Sequence, residues 1–269
     1  MAKGKDLAMS TLCRVCNNES SKIFSKKVLK KYNVDYFKCS HCNGIQTEEP
    51  FWLDEAYLSH LVELDFGVIR RNIENLSKIH FLKRFLSPMN IFLDYGGGDG
   101  LLCRMLRDYE IDCYNYDKYS DSPYAQQFIA DDEIKPDVVT AFEVIEHFKN
   151  PQDDFKKILQ FNSAYILITT SLIDFIPQNQ IEDWWYLAED GGQHLFLYTQ
   201  KSLEIIAKQN NYHCYILNIN NILFSRHKIS KLKLFFLKLL NKSKILKIYY
   251  SILSLTPANG VWKDYEDKK

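Results

Sequence analysis

The chain has 269 residues, enough for one sizeable α/β domain and an appendage, and its 46% hydrophobic and 25% charged content is ordinary for a globular protein. Thirty-four basic residues balance 34 acidic ones, which argues against a partner held mainly through phosphates, so nucleic acid is an unfavoured ligand. No apolar run is long enough to span a bilayer, and the opening MAKGKDLAMS has no apolar core of a signal peptide, so a cytoplasmic location is expected.

Residues 1–48 read as a cysteine module. Cys13-Arg-Val-Cys16 and Cys39-Ser-His-Cys42 are two CxxC pairs separated by a strand-like loop (Val34–Lys38). Each pair puts two sulfurs on one turn, and two such turns form the usual thiolate framework for a structural Zn2+. Reduced, unmetallated thiols or two disulfides are the alternatives. His41 could compete as a ligand, but the paired spacing favours Cys42. Cys103, Cys113 and Cys214 fall in helix or strand patterns and read as small core residues.

Residues 49–88 read as a helical linker or lid, with Ile69, Ile73, Leu76, Ile79 and Leu82 at helical spacing. Residues 89–228 then alternate strand and helix, which predicts a Rossmann-like, seven-stranded, mostly parallel α/β sheet with helices on both faces. Strands are expected at Ile91–Asp94, Asp112–Tyr116, Phe128–Ala130, Val138–Phe142, Tyr165–Thr169 and His213–Ile219, with a seventh near Ile222–Ser225. Helices are expected at Leu101–Tyr109, Asp153–Phe161 and Gln200–Asn210, the last capped by Thr199.

The first of these strands runs into Asp94-Tyr-Gly-Gly-Gly-Asp-Gly100. Glycine adopts positive φ freely and lets a ligand approach the backbone, so Gly96, Gly98 and Gly100 make this a nucleotide-cofactor turn. A dinucleotide fold would place its last glycine at Leu101. Asp117, closing the second strand, can accept both ribose hydroxyls of an adenosine. Asp131 or Asp132, after the third, can take the adenine amino group, and Glu143, ending the fourth, can hydrogen-bond a ligand or a substrate. Two histidines, His147 and His194, fall near strand ends, where the site of an open α/β sheet lies. Trp184-Trp185-Tyr186 could stack on a sugar or plug the core.

Residues 229–269 carry lysines at 231, 233, 238, 242, 244 and 247 among Leu, Phe and Ile. They read either as a basic amphipathic tail in peripheral contact with a membrane or as a helical pair packed on the domain or on another subunit of an oligomer.

Taken together, the D-x-G-G-G-D-G turn, Asp117, the Asp131-Asp132 pair, the Ala141-Phe-Glu-Val-Ile-Glu-His-Phe148 run and Gly191-Gly-Gln-His-Leu-Phe-Leu-Tyr-Thr199 resemble class I S-adenosylmethionine-dependent methyltransferases over about residues 89–220. With the cysteine module in front, the order is similar to zinc-containing bacterial sugar methyltransferases. That resemblance implies S-adenosyl-L-methionine bound by Asp94, Gly96, Gly98, Asp117, Asp131, Asp132 and Glu143. It also implies a nucleotide-linked sugar or surface-glycan precursor as substrate, and His194, beside Gln193, as catalytic base, with His147 the other candidate. The C-methylating members carry Tyr-x-Glu-His where this chain has Gly191-Gly-Gln-His194, and they carry a C-terminal extension that this chain lacks, so O-methylation of a sugar hydroxyl is expected. The competing readings are an RNA methyltransferase with a zinc ribbon, suggested by Lys22, Lys26, Lys27, Lys30 and Lys31, a sugar C-methyltransferase, and a non-catalytic cofactor-binding scaffold.

Overall fold

The computed structural model describes residues 10–58, 67–131, 133–240 and 243–266. In chain order the elements are β1 (Ser10–Leu12), β2 (Glu19–Val28), β3 (Tyr32–Cys39), β4 (Ile45–Thr47), α1 (Leu53–Leu58), α2 (Val68–Leu82), β5 (Ile91–Tyr95), α3 (Leu101–Asp108), β6 (Asp112–Tyr116), β7 (Val138–Phe142), α4 (Pro151–Leu159), β8 (Tyr165–Thr169), β9 (Phe196–Leu197), α5 (Gln200–Gln209), β10 (His213–Ile216), β11 (Asn221–Ser225), α6 (Lys231–Leu240), α7 (Ser243–Leu253) and α8 (Gly260–Glu266). The chain divides into two compact units interleaved in sequence. One holds residues 1–64, 145–155 and 171–209; the other holds 65–144, 156–170 and 210–269.

The first unit is built on an antiparallel sheet in the order β1-β2-β3-β4-β9. β9 comes from far along the chain and pairs Leu197 with Ile45 and Phe196 with Gln46. Gly44 is forced by this pairing, since a Cβ there would sit 2.7 Å from the Phe196 ring. Val34, Tyr36, Ile45, Trp52, Tyr186, Leu195 and Leu197 form the core. Thr199 caps α5 as expected and does so reciprocally: its hydroxyl accepts from the Ser202 amide (3.0 Å) while its amide donates to Ser202 Oγ (2.9 Å).

The second unit carries a six-stranded mixed sheet in the order β10-β11-β8-β7-β5-β6. β5, β6, β7 and β8 are parallel, whereas β11 and β10 join antiparallel. The sheet therefore differs from the expected seven strands in one place. Phe128–Ala130 is no strand: Gln126–Phe128 forms a 3-10 turn, and a single bridge, Ile129 to Asn115, remains. Pairing stops there because Asp131 opens a turn at once, accepting from the Glu133 amide. The largely apolar strands β7 and β8 are buried along almost their whole length, as parallel strands covered on both faces must be. Leu76, Ile79, Phe92, Leu106, Val138, Leu167 and Leu223 lie at the centre of the core.

α8 docks on α3 through Gly260, which lies against the Arg107 carbonyl so closely that no Cβ fits. Asp264 accepts from both Arg104 (2.7 Å) and Arg107 (2.7 Å), and its carboxylate is only 9% exposed. Removing one member of such a half-buried cluster strands the others. Asp264→Ala is expected to lower the unfolding free energy by about 2 kcal/mol, read as a shift of the urea midpoint at unchanged slope.

Candidate functional site

In the second unit the glycine turn leaves the carboxyl end of β5. The strand order reverses between β5 and β7, and the crevice outside such a switch point is where open α/β sheets bind ligands. Asp94 lies under the turn, 3% exposed, accepting a 2.6 Å hydrogen bond from Thr140 Oγ1. Burial pushes its pKa up to about 6, against the Thr140 bond that lowers it. Gly97 has to be glycine because a Cβ would overlap Asn115 Oδ1 and lie 2.6 Å from Asp94 Oδ2. Gly96 and Gly100 are likewise packed, against Val144 and Ala125. Gly98 is different: its φ is +54°, and a Cβ would meet nothing within 4 Å. The turn therefore offers bare backbone to open space at Gly98, which fits close approach of a nucleoside ligand.

Asp117 ties this turn to the next strand. Its Oδ2 accepts from the Gly98 amide (2.9 Å), and its Oδ1 accepts from Tyr119 and Ser120. The two amides fill the lone pairs of Oδ1, and Oδ2 keeps lone-pair capacity for a ribose hydroxyl. Asp131 is exposed at the end of the bridge residue's loop, and Asp132 lies outside the described residues. Glu143 follows β7 with φ +55°, and its amide donates to Thr169. A shallow cavity of about 1130 Å3, lined by Lys135, Asp137, Gln160, Asn162 and Arg226, lies instead at the amino ends of β7 and β8, away from the turn.

Four side chains here had no sequence signal. Asn115, fully buried, donates to the Gly98 carbonyl and to Ser122. Tyr95 and Tyr116 stack at 5.0 Å at the strand ends. Lys78, 6% exposed, donates to Asn75 Oδ1 and lies 5.0 Å from the Phe142 ring centroid, and burial lowers its pKa to about 8. A lysine on an amphipathic helix reads as solvent-facing, so its burial was not legible.

The first unit gathers the histidines. His147, closing the 3-10 turn Ile145–His147, and His194 lie with ring centroids 5.0 Å apart and perpendicular. Ligating atoms of Glu146, His147 and His194 all lie within 4.8 Å of one another, a second N/O donor set. Tyr186 organises the group. Its hydroxyl donates to Glu146 Oε1 (2.5 Å), and its carbonyl lies 2.6 Å from His194 Nδ1. Since a carbonyl only accepts, His194 carries its proton on Nδ1 and leaves Nε2 as an acceptor. Burial lowers the His194 pKa to about 4, against the Tyr186 bond that raises it. Gln193 is 1% exposed and donates to the Ala56 carbonyl (2.8 Å), so it anchors the segment beside His194. The aromatic trio splits: Trp184 and Tyr186 are core, whereas Trp185 is 78% exposed.

The four cysteines of the module converge in the same unit. Cys13 and Cys42 sulfurs are 3.6 Å apart and Cys16 and Cys39 sulfurs 3.5 Å, with all four within 4.8 Å. These separations are too long for disulfides. They are close to the ~3.8 Å edge of a tetrahedron with 2.3 Å metal–sulfur bonds. His41 is exposed beside Cys42. Arg14, inside the first pair, donates to the Thr47 and Glu48 carbonyls and so joins that turn to β4.

The methyltransferase-domain family profile matches residues 64–215, more than half of the chain. The chain belongs to this family: it carries a methyltransferase domain. No curated protein sequence matches it. In fold it is similar to human N-acetylserotonin methyltransferase in complex with SAM (15% identity, 67% of this chain and 60% of that one, TM-score 0.45). It is also similar to an O-methyltransferase family protein from Burkholderia thailandensis (10%, 66% and 63%, 0.48) and to the plantazolicin methyltransferase BpumL with SAH (14%, 76% and 90%, 0.47). The chain spans about three-fifths of the length of the first two.

His194 sets a pH dependence. Its folded pKa of about 4 lies below the ordinary 6.5. Between these values the unfolded chain binds the extra proton, so the contribution is full above pH 6.5 and is lost as pH falls towards 4. Wild type is expected to lose up to about 2 kcal/mol more than His194→Gln between pH 7.5 and pH 5, measured by urea unfolding.

Proposed function

We propose that this enzyme transfers a methyl group from S-adenosylmethionine to a hydroxyl of a carbohydrate, on a nucleotide-activated sugar or a surface-glycan precursor. The observation that carries the reading is the His194 tautomer, with Nδ1–H committed to the Tyr186 carbonyl and Nε2 left as a neutral acceptor. A sugar hydroxyl is a poor nucleophile while it keeps its proton, and a neutral imidazole can take that proton as the new bond forms. His147 is the second candidate for this role. Gln193, held on Ala56, fixes the backbone that carries His194.

On the donor side, Gly98 admits the nucleoside to the turn, Asp117 holds the ribose, and Asp131 or Asp132 takes the adenine amino group. Glu143 holds the methionyl amino group or the acceptor. Asp94 shapes the turn from beneath through Thr140. When bound, the donor supplies a methyl group activated on a sulfonium, and alignment of the acceptor does most of the rest.

A screen of nucleotide sugars read by mass spectrometry should return one product heavier by a single methylene unit. His194→Gln is expected to lower kcat/KM about 100-fold or more while leaving donor affinity from titration calorimetry unchanged. The acid limb of the wild-type profile should fall near pH 4, following the lowered pKa. An unaltered rate in His194→Gln would move the base to His147, an unaltered rate in both histidine variants would overturn the histidine-base reading, and donor binding with no methyl transfer to any acceptor would support a non-catalytic scaffold. Tight NAD binding without donor binding would overturn the reading, and methylation of bulk RNA in place of sugars would favour the RNA alternative.

The cysteine cluster adds a structural Zn2+ to the proposal, with Cys13, Cys16, Cys39 and Cys42 as ligands. Its chemistry is to tie two turns that are 23 residues apart in sequence, not to enter the reaction. Purified protein should hold one zinc per chain by elemental analysis, and Cys39→Ser should lose it together with several degrees of Tm. A second equivalent, lost in His147→Ala, would assign a further ion to Glu146, His147 and His194.

A further inference from the structure

The C-terminal helices of the second unit leave a face that packing does not explain. Leu234 and Leu237 of α6 point into the core with Leu253 and Tyr250 of α7. On the opposite side of α6, Leu232, Phe235, Phe236 and Leu239 fall at i, i+3, i+4 and i+7, which makes one continuous stripe. Leu232 is 69% exposed and Phe235 61%. Lys231 and Lys238 flank the stripe on one side and Lys233 on the other. Ile248 and Ile252 of α7 are likewise exposed one turn apart, beside Lys244 and Lys247.

Charge separates this region from the rest. Residues 205–263 contain no Asp or Glu, and residues 226–256 contain Arg226 and seven lysines. Because the whole chain is neutral, the remaining residues carry a matching excess of carboxylates. Among the described residues, none of Lys228, Lys231, Lys233, Lys238, Lys244 and Lys247 has a carboxylate within 4 Å. No helix of the described residues is long and apolar enough to cross a membrane.

The geometry points to an anionic phospholipid surface as the occupant of this face, with α6 lying in the interface. An apolar stripe bordered by lysines is what an interfacial helix presents: Phe and Leu enter the acyl boundary while the lysine stems extend their ammonium groups to the headgroups. A second copy of the chain is a poor occupant, since a two-fold contact would set this cationic face against itself. Nucleic acid would leave Phe235, Phe236 and Leu232 in water, because its backbone rewards cations and not an aliphatic stripe.

Flotation of the full-length chain with vesicles tests this without any methyl donor, so its outcome is separate from that of the proposed reaction. Vesicles of phosphatidylcholine with about 30% phosphatidylglycerol should bind the chain, while phosphatidylcholine alone should not. Phe235→Ser/Phe236→Ser should weaken partitioning at least tenfold with an unchanged circular dichroism spectrum and urea midpoint, and Leu12→Ser, an exposed apolar residue elsewhere, should not. Each of Lys231→Gln, Lys233→Gln and Lys238→Gln should weaken it about fivefold at low salt. Absence of binding to anionic vesicles, equal binding to both vesicle types, or binding indifferent to the Phe235/Phe236 change would overturn the proposal. So would self-association in sedimentation equilibrium that the same double variant abolishes.

Discussion

The second unit depends on one buried carboxylate. Asp94 is held by Thr140 from the neighbouring strand and lies directly under Gly97, so β5, β7 and the turn are fixed by a single side chain. A charged group this deep is unfavourable by itself, which is why its pKa rises to about 6. Asn115 completes the support from β6 by donating to the Gly98 carbonyl. The three consecutive glycines then have separate physical reasons. Gly96 and Gly97 make room for Val144 and for the Asp94–Asn115 pair, and Gly98 alone faces open space.

The first unit repeats the logic around Tyr186. Its hydroxyl meets the fully buried Glu146 and its carbonyl sets the His194 tautomer, so one core residue orients both a carboxylate and an imidazole. The segment that carries it is folded into the same sheet as the cysteine turns through β9. Thr199 reinforces that link, since its hydroxyl donates to the Cys42 carbonyl (2.6 Å) while capping α5. A metal at the cysteines would therefore stiffen the sheet to which the segment after His194 belongs, which gives a structural ion a route to the histidines through backbone rather than through chemistry.

The C-terminal helices show why mean composition conceals surface character. A net charge of zero arises from a cationic tail set against an acidic remainder. The inward positions of α6 satisfy the domain core, and the outward ones are apolar as well, so the helix has two apolar faces separated by lysines. Packing on the domain accounts for one of them.

Sequence alone determined the class of fold and singled out the residues proposed for its chemistry. Alternating apolar runs and helical periods give a mostly parallel α/β sheet, because both signals are local and repeat over several residues. The glycine-and-acid turn, the CxxC pairs and the Gln193-His194 step were legible for the same reason: each needs particular residue types at short spacing. The Phe128–Ala130 segment shows the limit of local reading, since its apolar character suits a strand but the Asp131 turn leaves only one residue to pair. Only tertiary structure decided that β9 belongs to the cysteine sheet, that Trp185 faces out while Trp184 and Tyr186 face in, and that Lys78 is buried. It also decided which His194 nitrogen holds the proton. These are contacts between residues far apart in sequence, and no local propensity encodes which distant partner a side chain or a strand edge will meet.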